Sequence, residues 1–168
     1  MEKAGIEKKL AGIPNFVDTS LYHPIGEDHR KEYGLLPDDF VVSYVGNIGS
    51  AQDLMPLIAL ARRLPQVKIL IAGNGINESK YREIVKKEQL DSIRFLGYVS
   101  REETLKINAV SDICMIMLAK HVMATSFPSK TYSLMAMGKP IVITSGKNSD
   151  VGRFIEENQI GFHVDVED

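Results

Sequence analysis

The chain has 168 residues, 44% of them apolar and 25% charged, with a formal net charge of −2, enough for one domain around its own hydrophobic core. That balance excludes the basic field of a nucleic-acid-binding domain. The single cysteine, Cys114, excludes an internal disulfide and suits a reducing cytoplasm, and no apolar run approaches the ~20 residues that span a bilayer.

Residues 1–10 mix acids and bases without an apolar stretch, so they read as a solvated helix face and not as a secretion signal or membrane anchor. Residues 1–39 form a lead-in containing prolines and aspartates, and the core is expected over 40–168. Its first strand is Phe40–Val45, closed by Gly46. A helix-spaced segment, Leu54–Leu64, leads to the second strand, Val67–Ala72, closed by Gly73. Glu78–Gln89 is the next helix, followed by a strand over Ser92–Leu96 that ends at Gly97. Glu102–Ser111 is helical, and Asp112–Leu118 is the longest and most apolar strand. Ser129–Met137 is a helix, Pro140–Thr144 the fifth strand, Asp150–Asn158 the last helix and Gly161–Val164 a weaker sixth strand. Near-continuous apolar strands alternating with helices predict a parallel sheet covered on both faces. With right-handed crossovers this is an α/β, Rossmann-like, doubly wound domain of about six strands.

In such sheets ligands sit at the carboxyl ends of the strands, which directs attention to the loops there. Gly46-Asn47-Ile48-Gly49-Ser50-Ala51-Gln52 links a buried strand to a helix, and its glycines permit close approach of backbone N–H groups to an anion. It lacks the Gly-Lys-Ser/Thr ending of a Walker loop and the spacing of a dinucleotide fingerprint; spacing alone leaves phosphate binding and a plain tight turn both open. Gly73-Asn74-Gly75 forms a second glycine-bearing exit. Phe127-Pro128-Ser129-Lys130-Thr131-Tyr132 carries a helix-start signal. Lys130 in a first helical turn opposes the helix dipole, a placement tolerated if the cation meets an anionic ligand, or if it swings into water. His23, His29, His121 and His163 show no metal-ligand spacing with Cys114 or carboxylates, Cys114 reads as a small core residue, and Ser126 and Ser129 lack a nucleophile-elbow pattern.

Several of these segments resemble one family in order and spacing. Ile13-Pro14-Asn15-Phe16-Val17-Asp18 is similar to the segment opening the C-terminal domain of retaining family-4 glycosyltransferases of the two-domain GT-B type. Tyr44 to Gly49, Leu70 to Gly75, Ile93 to Val99 and Ser111-Asp112-Ile113 resemble their successive strands and exits. The block Pro128-Ser129-Lys130-Thr131-Tyr132 through Met135-Ala136-Met137-Gly138-Lys139-Pro140-Ile141-Val142 is the most specific, and with the Gly-Asn-Ile-Gly-x-x-Gln loop it resembles the capsule and O-antigen subgroup.

The resemblance implies a donor domain that binds a nucleotide diphospho-sugar, commonly UDP-linked, for retaining sugar transfer without a metal or other cofactor. Positive side chains and backbone amides then stabilise the departing diphosphate. Lys130 is the expected catalytic cation, with Thr125 and Ser133 at the positions of the family's Glu-x₇-Glu pair. The binding set implied is Gly46, Asn47, Gly49, Ser50, Gln52, Gly73, Asn74, Gly75, Tyr98, Pro128, Ser129, Lys130 and Ser133. Asn47 and Gln52 stand where members carry arginine and lysine, and neutral hydrogen bonds are about half as strong as charge-assisted ones. The expected whole is a larger, cytoplasmic protein, peripheral on the inner membrane face, whose N-terminal domain binds a lipid-linked saccharide acceptor. The 168-residue fragment alone is expected to be inactive. Two alternatives stand beside this: a degenerate nucleotide-binding or regulatory domain of the same fold, and a UDP-sugar 2-epimerase-like enzyme.

Overall fold

The computed structural model describes residues 15–122 and 124–166; Ile13 and Pro14 of the opening motif lie outside them. Eleven elements alternate along the chain: β1 (Val41–Val45), α1 (Met55–Arg63), β2 (Lys68–Ala72), α2 (Glu78–Lys87), β3 (Ile93–Gly97), α3 (Arg101–Val110), β4 (Ile113–Met117), α4 (Lys130–Ala136), β5 (Ile141–Ser145), α5 (Asp150–Glu157) and β6 (Gly161–Asp165). All strand pairs are parallel, in the order β3-β2-β1-β4-β5-β6. The expected α/β doubly wound sheet is therefore the observed one, with element ends displaced by one or two residues. Ends fray in this way because terminal residues pair on one side only.

Burial explains why the central strands read as unbroken apolar runs. On one face, Val42 and Tyr44 of β1, Ile69 and Ile71 of β2 and Met115 and Met117 of β4 pack against α1 and α2. On the other, Val41, Leu70 and Ala72 meet α3 through Ile107 and Val110. Cys114 and Ile116 of β4, with Ile141 and Ile143 of β5, meet α4 and α5 through Leu134, Val151 and Ile155. Both sides of β1 and β4 are thus dry. Local chemistry sets the helix starts. Pro56 stands in the first turn of α1, Ser100 and Glu103 form a reciprocal capping box on α3, and Ser149 accepts from Gly152 N at the start of α5.

The end of the lead-in is docked in the structure. A 3₁₀ turn, Arg30–Tyr33, not anticipated from the sequence, ends at Gly34 with φ 60°. Leu35 enters the α3 side of the core at 6% exposure. Arg30 donates to both carboxylate oxygens of Asp112 at 3.3 Å and to Asp39 O at 2.5 Å. Asp112 also accepts from Val41 N at 2.7 Å. One carboxylate at the root of β4 therefore pins the lead-in and the start of β1 together. Lys139 works similarly on the C-terminal end of α3, donating to Ala109 O and Ser111 O at 2.6 and 3.1 Å.

Candidate functional site

The chain runs outward from β1 to β3 and then crosses back to β4, so the strand order reverses between β1 and β4. A crevice at the carboxyl ends is expected there, and the exits of β1 and β4 with the start of α4 surround it.

The β1 and β2 exits interlock through glycine. Gly46 N donates to Ala72 O at 2.9 Å, Ile48 N to Asn74 O at 2.9 Å and Asn77 N to Ile48 O at 3.1 Å. A side chain at Gly73 (φ 122°) would overlap the Gly46 carbonyl, and one at Gly75 the Ile48 carbonyl. These two glycines therefore serve backbone-to-backbone packing. Gly49 N is held by Gln52 Oε1 at 3.2 Å, and Asn77 Nδ2 donates to Gly49 O at 3.0 Å. The amides of Gly46, Ile48 and Gly49 are consequently engaged within the protein. Helix α1 begins only at Met55, whose N–H is taken by Asp53 Oδ1 at 2.9 Å.

Lys130 lies at the first residue of α4 and reaches across this loop. Its Nζ donates to Val45 O at 2.8 Å and stands 4.4 Å from the centroid of the Tyr44 ring. A Cβ on Gly46 would fall 2.5 Å from that ammonium, so glycine is the residue that leaves the lysine its path. Burial pushes the Lys130 pKa down to about 8, with Cys114 opposing the shift. A carbonyl and a ring face solvate the cation only partly. The arrangement is an electropositive group with no carboxylate partner among the described residues, at the switch point of the sheet.

Two cavities flank Lys130. One, of about 300 Å³, lies between the β1 exit and the β4 exit and is lined by Ala51, Gln52, Ile116, Met117, Leu118, Val122, Ser126, Phe127, Pro128 and Lys130. The other, of about 40 Å³, is lined by polar groups of Ser43, Thr104, Asn108, Cys114 and Ser133, with Val45, Met115, Leu134 and Lys130. The structure thus brings Lys130, Pro128, Gln52 and Ser133 around one crevice, adjoining Gly46. Ser133 turns its hydroxyl to Lys130 O at 2.9 Å within its own helix. Thr125 and Ser129 are exposed, and neither lines a cavity beside Lys130. Asn47, Ser50 and Asn74 are exposed on the rim. Tyr98, 80% exposed, stands apart at the end of β3, where Gly73 N donates to Gly97 O at 2.6 Å.

Residues not singled out in the sequence complete the site. Tyr44 is fully buried, supplies the ring beneath Lys130 and donates its hydroxyl to Asn47 O at 2.5 Å. Burial raises the pKa of this phenol well above its usual value. Ser43, Asn108 and Cys114 form a buried chain of long polar contacts under the lysine. The signal was present: a tyrosine and a serine interrupt an aliphatic strand buried on both faces. Among the described residues no three His, Cys, Asp or Glu side chains gather as a metal site, and no helix is long and apolar enough to cross a membrane.

Comparison with known proteins gives the family and the fold. Residues 26–168 match the family model for glycosyl transferases, group 1. The probable glycosyltransferase WbjE of Pseudomonas aeruginosa is 25% identical over 130 residues, covering 76% of this chain and 32% of WbjE. Among solved structures, a sucrose-phosphate synthase from Thermosynechococcus elongatus superposes with a TM-score of 0.77 at 20% identity, over 93% of this chain and 39% of that one. Anabaena HepE in complex with UDP superposes with a TM-score of 0.72 at 23% identity, over 90% and 42%. The likenesses give the fold, that of a GT-B C-terminal domain, and the chain spans about a third of the length of WbjE.

Proposed function

The chain belongs to the group 1 glycosyl transferases, and from that premise we propose that it is the donor half of a retaining, metal-independent enzyme of surface-polysaccharide synthesis that uses a UDP-sugar. The observation that carries this reading is Lys130. Its ammonium is held over Gly46 beside a cavity of about 300 Å³ at the sheet's switch point. HepE, a neighbour in fold, has been seen with UDP.

In this reading the nucleotide lies across the strand ends. The exposed ring of Tyr98 offers a stacking plane for the base, and Thr104 and Ser133, whose hydroxyls donate to Ser100 O and Lys130 O, keep lone pairs that accept from the ribose. The diphosphate meets Lys130, the rim amides of Asn47 and Ser50 and the side chain of Gln52. As the bond from anomeric carbon to phosphate oxygen breaks, negative charge grows on the departing diphosphate. A cation already desolvated and oriented stabilises that charge without reorganising. The acceptor, a lipid-linked saccharide, enters from an N-terminal domain of the whole protein, at the cytoplasmic face of the membrane. In surface-polysaccharide synthesis the support is the Pro128-to-Val142 block.

Calorimetric titration of UDP and of uridine into the chain tests this. Binding of UDP at submillimolar concentration is expected, and Lys130→Ala should weaken UDP at least tenfold while leaving uridine unchanged. Equal weakening of both removes the phosphate role. A second reading, a nucleotide-binding domain without catalysis, is favoured by one observation: neither cavity beside Lys130 is lined by an acidic side chain. Donor binding without transfer by the whole protein would establish it. Family membership leaves the epimerase-like alternative without support.

A further inference from the structure

The order of strands separates three sites along one line. Tyr98 closes β3, Lys130 crosses the end of β1, and the cavity of about 300 Å³ opens beyond, under the exit of β4. Two strand spacings, about 10 Å, separate β3 from β1. A nucleotide with its base at Tyr98 and its diphosphate at Lys130 therefore delivers its sugar into that cavity.

The cavity is built rather than incidental. Ala119 N donates to Ala51 O at 2.9 Å, tying the β4 exit to the β1 exit, and Asp150 N donates to Ala124 O at 2.8 Å, tying it to α5. The ring of Phe127 is braced by Tyr132 and Phe154, each at 5.2 Å between centroids. Its lining is one-sided. Lys130, Gln52 and Ser126 supply the polar groups, no acid among the described residues takes part, and Leu118, Val122 and Phe127 form an apolar wall. Gln52 Oε1 is already used on Gly49 N. A sugar hydroxyl turned to that wall gives up water and meets no acceptor on the side chains of Leu118, Val122 and Phe127, which weakens binding by as much as about a hundredfold. A methyl there gains about fourfold.

We propose that the donor sugar carries a methyl group on the face turned to this wall, as a 6-deoxy or an acetamido sugar does. This rests on the donor-site reading above and specifies its substrate class. The test is calorimetry on the chain with four ligands: UDP, UDP-glucose, UDP-6-deoxyglucose and UDP-N-acetylglucosamine. At least one of the two methyl-bearing donors is expected to bind threefold or more tighter than UDP-glucose. Val122→Thr, nearly equal in volume, should narrow that gap and leave UDP affinity unchanged. If neither methyl-bearing donor outbinds UDP-glucose while UDP itself binds, the substrate class is wrong and the donor site stands. If UDP fails to bind at millimolar concentration, both fall. The four-ligand comparison on the unaltered chain decides without the variant.

Discussion

Replacing Lys130 by methionine is expected to stabilise the free domain while removing its affinity for a diphosphate. The Lys130 pKa falls from 10.5 to about 8 in the folded chain, a shift of roughly 2.5 units, or about 3 kcal/mol at ~1.4 kcal/mol per unit. The sign follows from proton counting. Between pH 8 and 10.5 the unfolded chain binds the proton and the folded chain has lost it, so stability rises with pH across that window; below pH 8 the full cost of the buried charge is present. By pH 10 most of that cost is gone. Methionine keeps the volume and carries no charge, but it leaves Val45 O without its donor, a loss of about 1–2 kcal/mol. At pH 7 Lys130→Met is therefore expected to be more stable than wild type by about 1–2 kcal/mol. Urea unfolding followed by far-ultraviolet circular dichroism at pH 7, 8, 9 and 10 measures both chains. Lys139, lowered by burial, and the raised tyrosines Tyr33, Tyr44 and Tyr81 titrate in both. They cancel in the difference between the chains, and that difference should close at about pH 9 and reverse in sign by about pH 10. A variant less stable than wild type at pH 7, with a difference that does not vary with pH, would refute the reasoning.

The same lysine predicts a proton linkage in binding: a diphosphate raises its pKa, so UDP binding near pH 8 should take up as much as about half a proton. Calorimetry in two buffers of different ionisation enthalpy reads it, and equal heats would count against it. Thr131 is fully buried in α4 with no partner for its hydroxyl among the described residues, so Thr131→Val is expected to gain about 1 kcal/mol in urea unfolding. Gly73→Ala drives a methyl into the Gly46 carbonyl and should cost about 3 kcal/mol or more; a loss below 1 kcal/mol would mean that the two exits separate easily. Asp112→Ala frees both Arg30 and Val41 N and is expected to cost about 2–3 kcal/mol. Faster proteolysis within residues 15–39 should accompany it.

The sheet was legible because its strands are buried on both faces. Runs such as Ile113-Cys114-Met115-Ile116-Met117 have no solvent side to alternate with, and the intervening helices carry their own start signals. The lysine's place was legible too, since Lys130 stands against the dipole preference of its helix. What the sequence concealed was where its ammonium would rest. Val45 O comes from 85 residues earlier and the Tyr44 ring from its chain neighbour, and no local pattern encodes that meeting. Glycines misled in the opposite sense. Gly73 and Gly75 look like a phosphate-approach loop, yet the backbone they admit is that of Gly46 and Ile48. The 3₁₀ turn at Arg30–Tyr33 was missed because its anchor, Asp112, lies 82 positions along the chain.

That interlock of the β1 and β2 exits divides the crevice into two walls with different freedom to change. On the glycine side, side chains at positions 73 and 75 are barred by the backbone carbonyls of Gly46 and Ile48, and one at position 46 by the Lys130 ammonium, so mutation has little to work with there. On the opposite side, Val122, Ser126 and Phe127 line the cavity from the loop between β4 and α4. On the donor-site proposal, new sugar preferences would be acquired on that side, one side chain at a time, against a glycine half that stays the same. The domain is arranged as a fixed jaw and an adjustable one, and laboratory evolution of its donor range should begin with the adjustable jaw.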